Sequence, residues 1–140
     1  MHVAPNAGKS FWLTTDRHTF KLVGADTNGA FTMIEVIARP EFGPPPHIHH
    51  RQDECFYVLD GEFEFTYEGR TFTAGAGSVV HLAKGRVHTH RGAGNRPARA
   101  LNVTTPAAWK NSSRRREHPS RIPPRSRRRL RCRPSRRSSP

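Results

Sequence analysis

The sequence predicts an all-β fold, a small antiparallel barrel or sandwich, followed by a disordered arginine-rich tail. Short runs rich in Val, Phe, Tyr and Thr recur along residues 1–110, and turns containing Gly and Asn separate them. Residues 111–140 instead hold 12 Arg, 7 Ser and 5 Pro, with Ile122 and Leu130 as the only aliphatic side chains. Such a segment cannot bury enough apolar surface to offset its ordering entropy, so we expect it to be disordered.

The strands are predicted from alternating apolar and polar side chains. The N-terminal run is "FWLTT", and those that follow are "HTFKLVG", "AFTMIEVIA", "CFYVLDG", "EFEFTYEG", "RTFTAG", "SVVHLA" and "ARALNVTT". In "EFEFTY" the alternation places three aromatic side chains on one face, Phe63, Phe65 and Tyr67. Asn28-Gly29 and Glu68-Gly69 lie where hairpin connections need a positive φ. We therefore expect a sheet with one buried face and no long helix.

Charge and size favour one domain, residues 1–110, with a tail of different character. The net charge is +13, but residues 111–140 carry +11 of it, which leaves 12 basic and 10 acidic residues in residues 1–110. A chain of this length buries roughly two thirds of its surface, enough for one core. An apolar run long enough to span a membrane and an N-terminal signal core are both missing, and Cys55 and Cys132 lack a metal-binding spacing. These features predict a soluble, cytoplasmic protein with no membrane partner.

The segment "GPPPHIHHRQDE", residues 43–54, predicts a metal site. In an extended strand, His47 and His49 project to the same face, while His50 points away. Pro44–Pro46 restrict the backbone before the pair and reduce the entropy lost when the two rings are ordered. Two solvated loop histidines are the alternative interpretation of the pair.

Two further ligands are available to the histidine pair. Glu54 follows after a short turn, and His88 ends the later run "GSVVHLAKGRVH". Three imidazoles and a carboxylate suit one divalent transition metal, Fe, Mn, Ni, Cu or Zn, better than Ca or Mg, and on an octahedral ion they leave two positions open. His90 shares the face of His88 and is either a pocket residue or a packed core residue; His81 is interpreted as structural.

The arrangement of these residues resembles the cupin family. The first cupin motif is matched by Gly43, His47-x-His49, four residues, Glu54, six residues and Gly61. The second is matched in part by Gly77, Gly85 and His88. The resemblance implies a double-stranded β-helix, or jelly-roll barrel, with a motif core at about residues 40–104. Three departures stand out: the spacer after Gly43 is short, Ala83 replaces a proline, and Gly92 replaces an asparagine that could support the site.

Within the family, the stretch from Glu54 to Ser78 most resembles single-domain quercetin 2,3-dioxygenase-like (type 2) cupins. This implies that His47, His49, Glu54 and His88 hold the metal and that Glu54 also accepts a proton as the catalytic residue. The favoured activity is a small-molecule dioxygenase acting on a flavonol or enol, with the chain as a homodimer. A metal-dependent binding or sensor protein without catalysis remains open.

The tail permits two interpretations. Clustered Arg could retain nucleic acid non-specifically by neutralising phosphates. We do not expect nucleic acid to be a specific partner. The abrupt change of composition after Trp109-Lys110 instead suggests a frameshift near codons 108–112, because GC-rich coding DNA read out of frame yields Arg, Ser and Pro.

Overall fold

A computed structural model describes residues 1–40 and 42–108. These residues form nine β-strands and no helix: β1 (Lys9–Leu13), β2 (Asp16–Leu22), β3 (Thr32–Ala38), β4 (Asp53–Asp60), β5 (Glu62–Tyr67), β6 (Arg70–Gly75), β7 (Val79–Leu82), β8 (His88–Ala93) and β9 (Ala98–Thr105). The all-β prediction is confirmed. The predicted tail, residues 111–140, and the end of the predicted domain lie outside the described residues. None of the described residues belongs to a helix long and apolar enough to span a membrane.

The strands form two antiparallel sheets. One has six strands in the order β1-β2-β3-β9-β4-β7, and the other has three in the order β6-β5-β8. Strands distant in sequence become neighbours, since β9 pairs with both β3 and β4. This crossover order, with a single core shared by both sheets, is the jelly-roll arrangement that the motifs implied.

Alternation along the strands builds the core. β3 and β9 bury every second residue, and in β5 the side chains of Phe63 and Phe65 are fully buried while Tyr67 packs partly against them. The predicted apolar face of "EFEFTY" is therefore confirmed. Buried side chains from both sheets form one cluster, which includes Val36, Phe56 and Leu82.

The turn predictions are confirmed at two places. Glu68 and Gly69 have φ values of 48° and 77° and connect β5 directly to β6, as a two-residue type I′ hairpin requires. Asn28 and Gly29, with φ of 53° and 78°, lie in the longer connection between β2 and β3.

The histidine segment differs from the prediction. His47 and His49 lie outside the nine strands, in the connection between β3 and β4, where His47 forms an isolated bridge with His88. The predicted extended strand is therefore wrong at this point. Three consecutive prolines remove the backbone donors that a continuous ladder needs.

Candidate metal centre

The structure brings together the four residues that the sequence singles out. One ligand atom from each of His47, His49, Glu54 and His88 lies within 4.8 Å of the other three. Opposite ligand atoms around one ion, with bonds of about 2.1 Å, lie about 4.2 Å apart. The four side chains could therefore hold a single ion after small movements.

Backbone hydrogen bonds position the histidine segment against β8. The amides of His47 and His88 each donate to the other's carbonyl, both at 3.0 Å. The amide of Gly85 donates to the carbonyl of His49 at 2.8 Å, which fixes the other side of the segment. The rings of His47 and His49 consequently lie 4.9 Å apart, centroid to centroid. Reciprocal bonding to β8 thus provides the order that a regular strand would have provided.

Two of the imidazoles are oriented through their Nδ1 atoms. His47 Nδ1 lies 2.9 Å from the carbonyl oxygen of Pro45, and His88 Nδ1 lies 3.0 Å from that of Arg86. A carbonyl oxygen only accepts, so each Nδ1 carries the proton and donates it. The neutral ring then keeps its lone pair on Nε2, the atom free to bind a metal. This is the arrangement that metal-ligating histidines require.

Glu54 lies between the histidines. Its Oε2 is 3.2 Å from His88 Nε2, and its Oε1 is 3.6 Å from His49 Nε2. Burial would raise the pKa of Glu54, but the interaction with His88 and the charges of nearby histidines outweigh it, and the pKa is lowered. Burial would lower the pKa of His88, yet its interactions with Glu54 and the Arg86 backbone raise it. Without metal, the pair therefore favours a carboxylate beside an imidazolium.

The remaining histidines differ in position. His50 is exposed and is not one of the clustered residues, as expected. His81 is also exposed, with its Nε2 4.0 Å from Asp53 Oδ1. His90 is buried, lines the cavity described next, and packs 4.9 Å from the Phe56 ring. Both interpretations left open for His90 are therefore observed, because the residue is packed in the core and also lines the cavity.

A cavity of about 550 Å³ opens beside the cluster. His47, His49 and Glu54 form part of its wall, and much of the remainder is apolar, including Phe11, Leu13, Ile34, Val36 and Phe56. A pocket of this size accommodates a small organic molecule. Three of the four candidate ligands thus line a largely apolar cavity.

Sequence reasoning missed a second group of polar residues in this cavity. His18 of β2 and Asn102 and Thr104 of β9 are buried and line it, and Asp16 of β2 is fully buried with its Oδ2 3.8 Å from His90 Nε2. Burial raises the pKa of Asp16 to about 6, against weaker lowering effects of hydrogen bonds from Arg39 and Thr15. The alternation in "ARALNVTT" could have revealed Asn102 and Thr104 in the sequence. It places both side chains on the same face of β9 as two buried alanines.

Comparison with known families decides the classification. The model of the Cupin domain family matches residues 33–104, about half of the chain. The chain belongs to the cupin family. The match contains the His47, His49, Glu54 and His88 cluster, all strands from β4 to β8, and all but one residue each of β3 and β9.

The chain is similar to proteins of several different kinds. A probable germin-like protein, subfamily 2 member 5, from Arabidopsis thaliana is 32% identical over 64% of this cupin, and the alignment spans 44% of that protein. A predicted oxalate decarboxylase from Thermotoga maritima is similar in structure, with a TM-score of 0.68, 22% identity, and coverage of 75% of this chain and 98% of the other. The polyketide cyclase RemF from Streptomyces resistomycificus has a TM-score of 0.67, 22% identity, and coverage of 75% and 78%. At these identities the structures support the shared fold.

The structure explains two departures from the cupin motifs. Gly85 has a φ of 75°, and the turn without a proline is held by the Gly85–His49 hydrogen bond and by the Lys84 amide donating to Asp53 Oδ1 at 2.9 Å. At Gly92 a Cβ would lie 2.6 Å from the carbonyl oxygen of Arg39. Asparagine therefore has no space at this position, because the chain leading to the histidines crosses β8 too closely.

Proposed function

We propose that this cupin holds one divalent transition metal ion, Fe, Mn, Ni, Cu or Zn, through His47, His49, Glu54 and His88, and that with a redox-active ion bound it uses dioxygen to oxidise a small enol- or flavonol-type molecule. The observation that carries the proposal is the clustering of three imidazoles and a carboxylate beside an apolar cavity that His47, His49 and Glu54 line, with two rings oriented by backbone carbonyls. A mixed nitrogen and oxygen donor set favours first-row transition metals.

The ion and the residues around it would have different roles in this reaction. A bound redox-active ion would supply the Lewis acidity and electron transfer that dioxygenation of an enol requires. Glu54 lines the cavity, and its carboxylate could accept the proton of an enol hydroxyl. The apolar wall formed by Phe11, Ile34 and Phe56 would exclude water from the reacting atoms.

The similar proteins do not select a reaction. Their descriptions include a predicted oxalate decarboxylase and a polyketide cyclase, and one fold hosts many chemistries. Proton acceptance by Glu54 is the feature that separates the oxygenase from a cupin that only binds its ligand.

Metal analysis and oxygen uptake test the proposal. The purified chain is analysed for metal by mass spectrometry, then reloaded separately with each candidate ion and assayed for oxygen consumption with flavonols and simpler enols. We expect about one ion per chain and uptake that Glu54→Gln abolishes. One ion per chain with no uptake for any enol would favour the binding or sensor role. Failure to retain any of these ions would overturn the proposal.

We also propose a homodimer formed along β1. This strand is an edge of the six-stranded sheet, and Trp12 and Leu13 are exposed on it. An edge strand with exposed apolar side chains is commonly covered by a second copy. Sedimentation of a chain ending at Lys110 excludes effects of residues 111–140. A single species of monomer mass at micromolar concentration would contradict the proposal.

A further inference from the structure

Three buried side chains in the cavity have polar atoms without a protein partner. His18 Nε2, Asn102 Nδ2 and Thr104 Oγ1 have no hydrogen bond from the described residues, although each side chain is more than nine-tenths buried. Leaving a buried donor or acceptor unpaired costs about 1–3 kcal/mol. All three residues line the same cavity as the candidate ligands. They are therefore placed to hydrogen-bond a molecule that enters it.

The strand register puts this group beside the candidate metal centre. Thr104 of β9 pairs directly with Glu54 of β4, so their side chains share a face and are close neighbours. Asn102 lies two residues further along the same face and pairs with Phe56. His18 enters from β2, where its ring stacks 5.1 Å from Phe11. The polar atoms thus extend from the carboxylate into the apolar part of the cavity.

The group is uncharged. Asn102 and Thr104 are neutral, and burial lowers the pKa of His18 against a weaker opposing effect of Glu54, which favours the neutral imidazole. None of the described residues that line the cavity is Lys or Arg. A carboxylate bound to these three side chains would have no Lys or Arg of the cavity wall as a partner and would lose its hydration.

We propose that His18, Asn102 and Thr104 form a subsite that hydrogen-bonds an uncharged hydroxyl or carbonyl oxygen of the ligand. Through these three side chains the subsite favours an uncharged oxygen of an apolar, ring-bearing molecule over a carboxylate group. This proposal deepens the proposed function and rests on it for the role of the neighbouring metal ion. The hydrogen bonds themselves do not need the ion.

The test uses 2-naphthol and naphthalene, which differ by one hydroxyl group that is neutral at pH 7 and cannot chelate a metal. Their dissociation constants are measured by fluorescence with the chelator-treated full chain and its variants. We expect Asn102→Leu, Thr104→Val and His18→Phe each to lower the preference for 2-naphthol by about fivefold to tenfold, the effect of one neutral hydrogen bond. Thr104→Ser keeps the hydroxyl group and should keep the preference.

Thr73→Val is the matched control, because Thr73 is exposed on β6 and the same substitution removes its hydroxyl group outside the cavity. Unchanged preferences in all the cavity variants, or an equal loss in Thr73→Val, would overturn the subsite. Displacement of 2-naphthol by oxalate from chelator-treated protein would overturn its selectivity for uncharged groups. Metal content is measured separately on untreated samples. A chain that binds no metal would contradict the proposed function. The preference for 2-naphthol over naphthalene would still test the subsite.

Discussion

His88 and Glu54 form a buried pair, with Nε2 of the imidazole 3.2 Å from Oε2 of the carboxylate. The two residues come from strands of different sheets, β8 and β4. In the metal-free protein the pair lowers the pKa of Glu54 and raises that of His88, in each case against the effect of burial. A metal ion that binds both side chains must therefore displace the proton that the imidazolium holds.

This competition predicts the pH dependence of metal binding. Because the pKa of His88 is raised above its ordinary value of 6.5, the proton remains bound to a higher pH than in a free imidazole. The dissociation constant for Zn²⁺ should rise as the pH falls through this range, by up to about tenfold per unit for one displaced proton. Isothermal titration in two buffers of different ionisation enthalpy measures both affinity and proton release. A pH-independent affinity between pH 6 and 8 would contradict the prediction.

Substitutions within "HIHH" test the ligand assignment. His47→Ala, His49→Ala and His88→Ala each remove one ligand and should lower metal affinity by at least about tenfold to a hundredfold. His50→Ala should bind metal as the unsubstituted chain does, because His50 is exposed and outside the cluster. Metal content after dialysis distinguishes them. Loss of metal in His50→Ala with retention in His49→Ala would show that the assignment is shifted by one residue.

Glu54→Gln separates binding from turnover. The amide keeps the shape of the side chain but loses the anionic charge and the capacity to accept a proton. We expect metal affinity to fall less than in the histidine variants, while oxygen uptake with any active enol falls by at least about a hundredfold. Metal content and uptake are measured on the same samples. Equal losses of metal and turnover would show that Glu54 acts only as a ligand.

The sequence alone was sufficient for the ligand cluster and the core alternation. The spacing from Gly43 to Gly61 identified the cupin motif, and the alternation of "EFEFTY" identified the buried Phe63 and Phe65. For the core, local pattern was sufficient because alternation along one strand determines which side chains share a face, whereas the four clustered residues were identified through the cupin motif.

Features created by distant pairings could not be predicted in the same way. His18 and Asn102 reach one cavity only because β2, β3 and β9 are consecutive in the sheet. The lack of space for a side chain at Gly92 likewise arises because the backbone of Ala38 and Arg39, distant in sequence, passes close to it. The extended strand expected at His47 is replaced by an isolated bridge, because the position is fixed by His88 from another part of the chain. Topology, which local patterns do not specify, decided these features.

Asp16 should destabilise the fold at neutral pH. Burial raises its pKa from 3.8 to about 6, so between these values the folded state binds more protons than the unfolded state. Stability contributed by this group is fully present below about pH 4 and is lost as the pH rises through about 6. The shift corresponds to at most about 3 kcal/mol.

Asp16→Asn tests this effect. The amide retains an acceptor for the Arg39 amide and gains a donor facing His90, so we expect a gain of about 1–3 kcal/mol in unfolding free energy at pH 7 and little change at pH 4. Chemical denaturation of metal-free protein across this range measures the difference. Asp60→Asn is the control, because that carboxylate is exposed and paired with Arg96. A gain at pH 4 equal to that at pH 7 would rule out the ionisation of Asp16 as the cause.

Gly92 and Gly43 should be required for both stability and metal binding. A Cβ at Gly92 would meet backbone atoms of Arg39 and Ala38 at 2.6–2.9 Å, and one at Gly43 would clash with the carbonyl of His90. Backbone atoms cannot move aside as a flexible side chain can, so alanine at either position should cost about 1–3 kcal/mol. The displaced segment leads directly to His47, which predicts weaker metal binding as well.

Gly75→Ala is the matched control, since its nearest atom is Glu62 Cγ at 4.0 Å and its φ is not positive, and it should change stability by less than about 0.5 kcal/mol. Denaturant unfolding and zinc titration are measured on all three variants. Gly92→Ala with the stability and zinc affinity of the Gly75→Ala control would show that the crossing over β8 does not position the ligand segment.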